Sequence, residues 1–370
     1  MRKRAIVCVT NDLFTDQRVH KTCVTLSKCN YDVLEYGRLL PESLALERPY
    51  LTQRTKHFFN RGPQFYAEYN VRLFFFLLFS KVDLIFANDL DTLPATFLAA
   101  KIKRTKLIYD THEYFTETPE LTKRPTVQKI WKSIERLIFP GLNAIITVNH
   151  SIAMLYNKQY NKEVAVVRNI PLTYNPEIIK SRKELNLPLD KKIIIVQGTG
   201  INIDRGAEEA CMSMQYLDDV ILLVVGSGDV IPVLKKIVKE KHLEERVIFK
   251  QKMSFDELRQ YTMNCDLGLA IDKGTNINYL YSLPNKFFDY IHAGIPVLSS
   301  GLIEIKNIIE DYNIGYFIQN HEPAHIAEVI KNIFAEAATY NKIKSNTVSA
   351  KKALCWEEEE KILLNIIKSQ

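Results

Sequence analysis

Short apolar runs alternate with longer stretches of helical period along the whole chain. In the first half the runs fall at 5–9, 31–36, 83–87, 106–109, 144–148 and 164–167; in the second they fall at 192–196, 220–225, 247–249, 267–270 and 296–298. Most are rich in β-branched residues and continuously apolar, without the period-two alternation of a half-solvated sheet. Strands buried on both faces read this way, and they belong to parallel sheets covered by helices on either side. The expectation is an α/β chain with two Rossmann-like, doubly wound parallel-sheet domains whose strand ends face a cleft.

A length of 370 residues exceeds what one core usually supports, in keeping with two domains. The pattern breaks at 169–176, where Pro171 and Pro176 interrupt it. The expected units are residues 1–172, residues 173–351, and a C-terminal helix over 352–370 that packs back on the first. That last segment opens on Glu357 to Glu360 and continues with Ile362, Leu363, Ile366 and Ile367 at helical spacing.

Hydrophobic content of 46% with 25% charged residues is that of an ordinary globular protein. Six cysteines without a CxxC pair argue for reduced thiols and against a structural zinc site. Only a short apolar run precedes Asn11 and Asp12, too little for a signal peptide. The aromatic–aliphatic run at 73–79 falls well below the roughly 18 residues that span a bilayer. A cytoplasmic protein is expected. The net charge of +6 fits an acidic ligand or peripheral contact with an anionic membrane on its inner face, and no feature points to nucleic acid.

Four loops carry candidate chemistry. In Gln197-Gly-Thr-Gly-Ile-Asn-Ile-Asp-Arg-Gly206, Gly198, Thr199 and Gly200 follow a strand and Arg205 precedes a helix starting at Ala207. Glycines let backbone amides approach an anion, and an arginine fork suits a diphosphate; a solvated arginine is the alternative. Gly226-Ser-Gly-Asp-Val-Ile231 places Ile231 where a dinucleotide fingerprint needs its third glycine, so it reads as a plain strand-to-helix turn, and no nicotinamide or flavin cofactor is expected.

Tyr109-Asp-Thr-His-Glu-Tyr-Phe-Thr116 has Thr116 where HExxH zinc helices have the second histidine, so no metal is expected. Asp110, His112 and Glu113 directly after a buried strand stand where α/β proteins set active-site groups, though His112 could merely cap the loop. In Ser282-Leu-Pro-Asn-Lys-Phe-Phe-Asp-Tyr290, Leu283-Pro284 ends a loop and a helix begins near Asn285. The backbone donors of Asn285, Lys286 and Phe287 are expected to face an anion. Asp289, one turn in on the same face, can accept hydrogen bonds from vicinal hydroxyls. Phosphate and ribose diol in one helical turn mean a nucleotide.

A fifth segment, 54–79, combines Arg54, Lys56, Arg61 and Arg72 with many aromatic residues. Within it the run 73–79 is expected as a core helix buried on all sides. Residues 54–61 show neither strand nor buried-helix period, which leaves Phe58 and Phe59 for exposure at an anionic membrane.

Together these pieces resemble retaining glycosyltransferases of GT-B architecture, family 4 type, as found in bacterial surface polysaccharide synthesis. The matching pieces are Asn11-Asp12 with Asp16-Gln-Arg-Val19, Ala87-Asn-Asp-Leu90, Tyr109-Asp-Thr-His-Glu113, Val167-Arg-Asn-Ile-Pro171, Gln197-Gly198 through Arg205-Gly206, Ser282 through Tyr290, and Trp356-Glu357. The resemblance covers nearly the whole chain, and it implies catalytic roles for His112, Arg205 and Lys286. Arg205 would hold the donor diphosphate and His112 would sit beside the transferred sugar. Asn285 and Lys286 would approach the distal phosphate, and Asp289 would bind ribose.

On the same ground Lys252 and Met253 would lie by the nucleobase, and Gly198, Thr199, Gly200, Tyr281, Leu283 and Pro284 would complete the donor site. Arg18, Asp110 and Glu113 would lie on the acceptor side. Two departures stand out: Tyr281 occupies the position of an acid usually found eight residues before the ribose ligand, and Thr199 that of a frequent second phosphate-binding arginine. The implied partners are a nucleotide diphosphate sugar and a glycan or lipid-linked acceptor. No cofactor or metal is implied. The alternatives are a non-catalytic sugar-nucleotide-binding partner of a glycosyltransferase and a nucleotide-sugar 2-epimerase of similar architecture.

Overall fold

The computed structural model describes residues 2–14 and 16–370. The chain forms two compact units, one made of Met1–Asn169 with Glu358–Gln370 and the other of Ile170–Glu357. Unit 1 holds seven strands: β1 Lys3–Asp12, β2 Tyr31–Arg38, β3 Leu51–Thr55, β4 Leu84–Asn88, β5 Lys106–Thr111, β6 Ala144–Thr147 and β7 Ala165–Val166. Its helices are α1 Gln17–Lys28, α2 Gly62–Phe79, α3 Leu93–Lys103, α4 Pro119–Thr122, α5 Pro125–Ile138 and α6 His150–Tyr160.

Unit 2 holds β8 Lys192–Gly198, β9 Val220–Gly226, β10 Val247–Lys250, β11 Leu267–Ala270, β12 Val297–Ser299 and β13 Gly315–Phe317. Its helices are α7 Ala207–Ser213, α8 Ile231–Glu240, α9 Phe255–Met263, α10 Ile277–Leu280, α11 Asn285–Ala293, α12 Ile303–Tyr312, α13 Pro323–Ala335 and α14 Ala337–Ala353, followed by α15 Trp356–Lys368.

Every strand pairing is parallel. The orders are β3-β2-β1-β4-β5-β6-β7 and β10-β9-β8-β11-β12-β13. In each sheet the chain first winds outward from a central strand (β1, β8) and then crosses to its other side (β4, β11). Loops that leave the carboxyl ends of such a strand pair splay apart, which opens a crevice there. The central strands are buried along their length, as Ile193 to Val196 and Leu267 to Ala270 show. This burial is why their sequences run apolar without alternation.

Three expectations need correction. Arg54 lies in β3, paired with Gly37 of β2, so residues 54–61 are not free of strand. The Leu-Thr-Gln-Arg-Thr sequence of β3 has no fully buried residue, because an edge strand needs no apolar run. The three-residue β13 went unmarked for the same reason. The run 73–79 is not buried on all sides. In α2 only Phe65, Tyr69, Leu73 and Leu77 face the core, while Phe75 and Phe79 are 51% and 82% exposed. A four-residue spacing keeps one ridge inward, and residues offset by two positions, about 200° round the helix, point the other way.

The acidic start of α15 ties it to unit 1. Glu360 accepts from Thr25 Oγ1 at 2.7 Å and Lys28 Nζ at 2.8 Å. Buried Glu359 accepts from Arg168 at the backbone N, 2.7 Å, and at Nε, 2.8 Å. Leu363 and Ile367 fill the buried side of this helix. Among the described residues no helix is long and apolar enough to cross a membrane.

Candidate functional site

The carboxyl ends of β8 and β11 form the crevice of unit 2. Gly198 ends β8 opposite Gly226 of β9, and both take positive φ, +138° and +129°. A Cβ on Gly226 would run into the Gly198 carbonyl, so the two strand ends close only if this residue is glycine. The loop from Gly198 then returns at Gly206, φ +76°, whose missing side chain lets it pack against the Ile271 carbonyl. That return delivers Arg205 to the end of β11.

There Arg205 meets Asp272, which follows β11 by two residues and has no exposed surface. Arg205 NH1 lies 3.1 Å from Asp272 Oδ1, and the guanidinium stacks 4.0 Å above the Tyr279 ring. Lys286 Nζ lies 2.9 Å from the other oxygen, Oδ2. One buried carboxylate thus holds two cations, and both border a cavity of about 190 Å³ lined also by Val196, Gly200 and Pro284. An arginine and a lysine held by one carboxylate at a strand crevice have the charge and the donors to meet a phosphate-bearing ligand.

Helix α11 begins at Asn285 with Pro284 in extended conformation before it, as the proline rule predicts. The Phe287 amide donates to Pro284 O at 3.0 Å, which corrects its assignment as an anion donor. Asn285 and Lys286 remain the candidates of this turn for facing an anion. One turn on, Asp289 accepts from Gln197 Nε2 at 3.2 Å, and Gln197 in turn accepts from Thr262 Oγ1 at 2.7 Å. This chain of bonds orients the carboxylate.

Of the other expected donor residues, Thr199 and Lys252 are exposed, whereas Met253 and Leu283 pack half-buried against the core of unit 2. Tyr281 closes the short helix α10. Sequence reasoning missed Asp272, Gln197 and Thr262 as site residues. Asp272 carries the signal that singled out Asp110, an acid directly after a buried strand, but without neighbours of catalytic type.

The second cluster lies in unit 1. Arg18 and Asp110, both almost wholly buried, form a two-point pair, NH2 to Oδ1 at 2.7 Å and Nε to Oδ2 at 2.9 Å, and Arg18 NH1 donates to Val167 O at 2.8 Å. Burial alone would push the Asp110 carboxyl up, but Arg18 and then His112 hold it down at about 2.

His112 is braced on every side. Its backbone N–H donates to Asp89 Oδ1 at 2.9 Å, and ring Nδ1 lies 3.2 Å from Asp89 Oδ2. Ring Nε2 lies 3.2 Å from Asn88 Oδ1 and 3.6 Å from Asp110 Oδ2. With oxygen acceptors at both nitrogens the ring is satisfied only as an imidazolium. Burial opposes the charge, yet Asp89 and then Asp110 raise the ring to about 9. Asp89, at φ +59°, reaches this position through a left-handed backbone that aspartate tolerates.

Glu113 points elsewhere. It lies exposed at the wall of a separate cavity of about 580 Å³ within unit 1. The structure therefore joins Arg18, Asp110 and His112 in one network and sets Glu113 beside it.

Residues 177–349, most of unit 2, match the model of the family described as Glycosyl transferases group 1. No curated protein matches the chain. Among solved structures, sucrose-phosphate synthase from Thermosynechococcus elongatus is 16% identical with a TM-score of 0.80, covering 100% of this chain and 99% of that one. HepE of Anabaena, in complex with UDP-glucose, is 14% identical with a TM-score of 0.76, covering 99% and 100%. WaaG, a glycosyltransferase involved in lipopolysaccharide biosynthesis, is 14% identical with a TM-score of 0.68, covering 99% and 100%. The fold is the α/β, two-sheet GT-B architecture shared with these structures.

Proposed function

We propose that this protein is a glycosyltransferase that moves a sugar from a nucleotide diphosphate sugar to a hydroxyl of a glycan or lipid-linked acceptor, with retention at the anomeric carbon, in cell-surface polysaccharide synthesis. The observation that carries the reading is the convergence of Arg205 and Lys286 on one buried Asp272 beside a glycine-lined cavity, with Asp289 one turn along the same helix as Lys286. The match to the group 1 family over this unit supports it, as does the UDP-glucose complex of HepE.

In this reading unit 2 binds the donor. The diphosphate gathers negative charge as the C–O bond to the sugar breaks, and Arg205, Lys286 and the first amides of α11 meet that charge without a metal. Asp289 takes the ribose hydroxyls, and Lys252 with Met253 borders the base. Unit 1 carries the sugar-facing His112 and the acceptor-side Arg18, Asp110 and Glu113. No pair of carboxylates for a covalent double displacement stands among the assigned residues, so attack on the same face as the leaving group is the proposed course. The protein works on the cytoplasmic side in peripheral contact with an anionic membrane.

Thermal denaturation with UDP-, GDP- and CMP-sugars tests the reading, since a ligand bound to the native state raises the melting temperature. One class should stabilise the protein, and Arg205→Ala should weaken its binding by about 1.5 to 3 kcal/mol, the value for a hydrogen bond to a charged group. No shift with any nucleotide sugar would refute it.

A further inference from the structure

Helices α2, α3 and α5 pack side by side in unit 1, α2 on α3 and α3 on α5. Their outward faces carry exposed apolar side chains beside basic ones. On α2, Val71, Phe75 and Phe79 recur every fourth residue on the side opposite the buried ridge; α3 shows Leu98 and Ile102; α5 shows Ile130 and Leu137, the latter 82% exposed. Exposed apolar side chains at this density, on three adjacent helices, exceed the scattered hydrophobic residues of an ordinary surface.

The charges among them have one sign. Lys101, Arg104, Lys129 and Arg136 are exposed on α3, on α5 or at their ends, and α3 has no acid. The acids of the other two helices are engaged: Glu68 of α2 with Arg72 at 2.8 Å, and buried Glu135 of α5 with Tyr160 Oη at 2.6 Å. A basic, aromatic-rich apolar face complements an anionic bilayer, whose surface attracts lysine and arginine while apolar side chains enter the headgroup boundary.

This face runs into the 580 Å³ cavity of unit 1, because Ala67 of α2 and Ile130 of α5 belong to both. Inside, Tyr66, Phe115 and Trp131 form an aromatic wall, with Tyr66 and Phe115 each edge-on to Trp131 at 5.3 and 5.4 Å between ring centres. The charged groups, Glu113, Glu120 and Arg124, come from the segment between β5 and α5. Glu113 follows His112 directly. The volume lies within the roughly 300–1,000 Å³ of small-molecule sites.

We infer that this cavity takes the apolar chain of a membrane lipid, an acyl or polyprenyl chain whose hydroxyl-bearing head reaches Glu113, and that the α2–α3–α5 face holds the cavity mouth against an anionic bilayer. The inference rests on the proposed function and narrows its acceptor to a lipid. It also moves the membrane contact from Phe58 and Phe59 to the outer ridges of three helices. A water-soluble apolar ligand would not account for the exposed ridge that continues from the mouth.

Flotation of the full chain with phosphatidylcholine vesicles, with and without phosphatidylglycerol, reads the surface. Binding is expected only with the anionic lipid and only at low salt. It should be lost in Phe75→Ser/Phe79→Ser and fall about fivefold for each charge removed in Lys101→Ala and Arg104→Ala. Calorimetry with farnesyl phosphate reads the cavity. The wild type should bind it, and Ala67→Phe and Ile130→Asp, both at exposed rim positions, should abolish that binding with far-UV circular dichroism unchanged; Ala67→Phe should still float. A wild type that stays in solution with anionic vesicles at low salt, or rim variants that bind farnesyl phosphate like the wild type, would overturn the inference. Nucleotide-sugar stabilisation measured on the same protein separates the two readings: a shift without vesicle binding removes the lipid site alone, and vesicle binding without a shift removes the transferase reading alone.

Discussion

Lys286 Nζ rests 2.9 Å from Oδ2 of Asp272, a carboxylate with no exposed surface. A lysine so placed is aimed by its counter-ion before any ligand arrives, and Arg205 is aimed by the other oxygen of the same group. Asp272→Asn keeps the shape but removes the charge that holds the two cations together. Nucleotide diphosphate affinity should fall roughly tenfold, about 1.4 kcal/mol, the size of one hydrogen bond to a charged group. Calorimetry checks this; a gain in affinity would mean that Asp272 competes with the ligand rather than orienting its partners.

Asp289 is steadied by Gln197 and Thr262 and stands on α11 one turn beyond the cationic end. Asp289→Asn should weaken ribonucleotide donors more than inorganic diphosphate. Equal losses in parallel titrations would reduce the residue to a support for its loop.

His112 gives unit 1 a defined response to pH. Its folded ring stays protonated to about 9, whereas the unfolded ring releases its proton near the ordinary value of about 6.5. The stabilisation is complete below the unfolded value and is lost as pH rises through about 9, because over that window the native state alone retains the proton. Denaturant midpoints should decline from neutral pH to about 9, and less steeply in His112→Gln. The Cε1–H resonance of His112 should titrate near 9 and shift to lower pH in Asp89→Asn; a midpoint near the ordinary histidine value would contradict the imidazolium.

Glu359 is 1% exposed and collects both the backbone and the side chain of Arg168. Breaking a fully buried pair costs about 3 to 5 kcal/mol. The Arg168 side chain is 26% exposed, so Glu359→Ala should cost less, roughly 2 to 3 kcal/mol, measured by chemical denaturation.

The sequence made the central strands legible because burial on both faces leaves an unbroken apolar run, and Leu267–Ala270 matches its strand residue for residue. The polar edge strand Leu51–Thr55 lacks that mark, since half its surface meets water. Of the cluster around Asp272, Arg205 and Lys286 were singled out from glycine, proline and helix-start chemistry. Asp272 was not, because its meaning lies in contacts with residues 67 positions before it and 14 after, a pairing that only β8, β11 and α11 together create. Phe75 and Phe79 were misjudged because hydrophobicity marks what could be buried, and two positions round the helix decide what is.

The route of α15 bears on how the chain matures. Unit 1 opens at the first strand, yet its closing segment, Glu358–Gln370, follows the whole of unit 2 in the chain. On a ribosome the unit begun first is therefore completed after unit 2: α1 waits for Glu360, and Arg168 for Glu359, until residues 170–357 have emerged. A fragment ending at Asn169 would keep the whole seven-stranded sheet and still lack the partners of Thr25, Lys28 and Arg168.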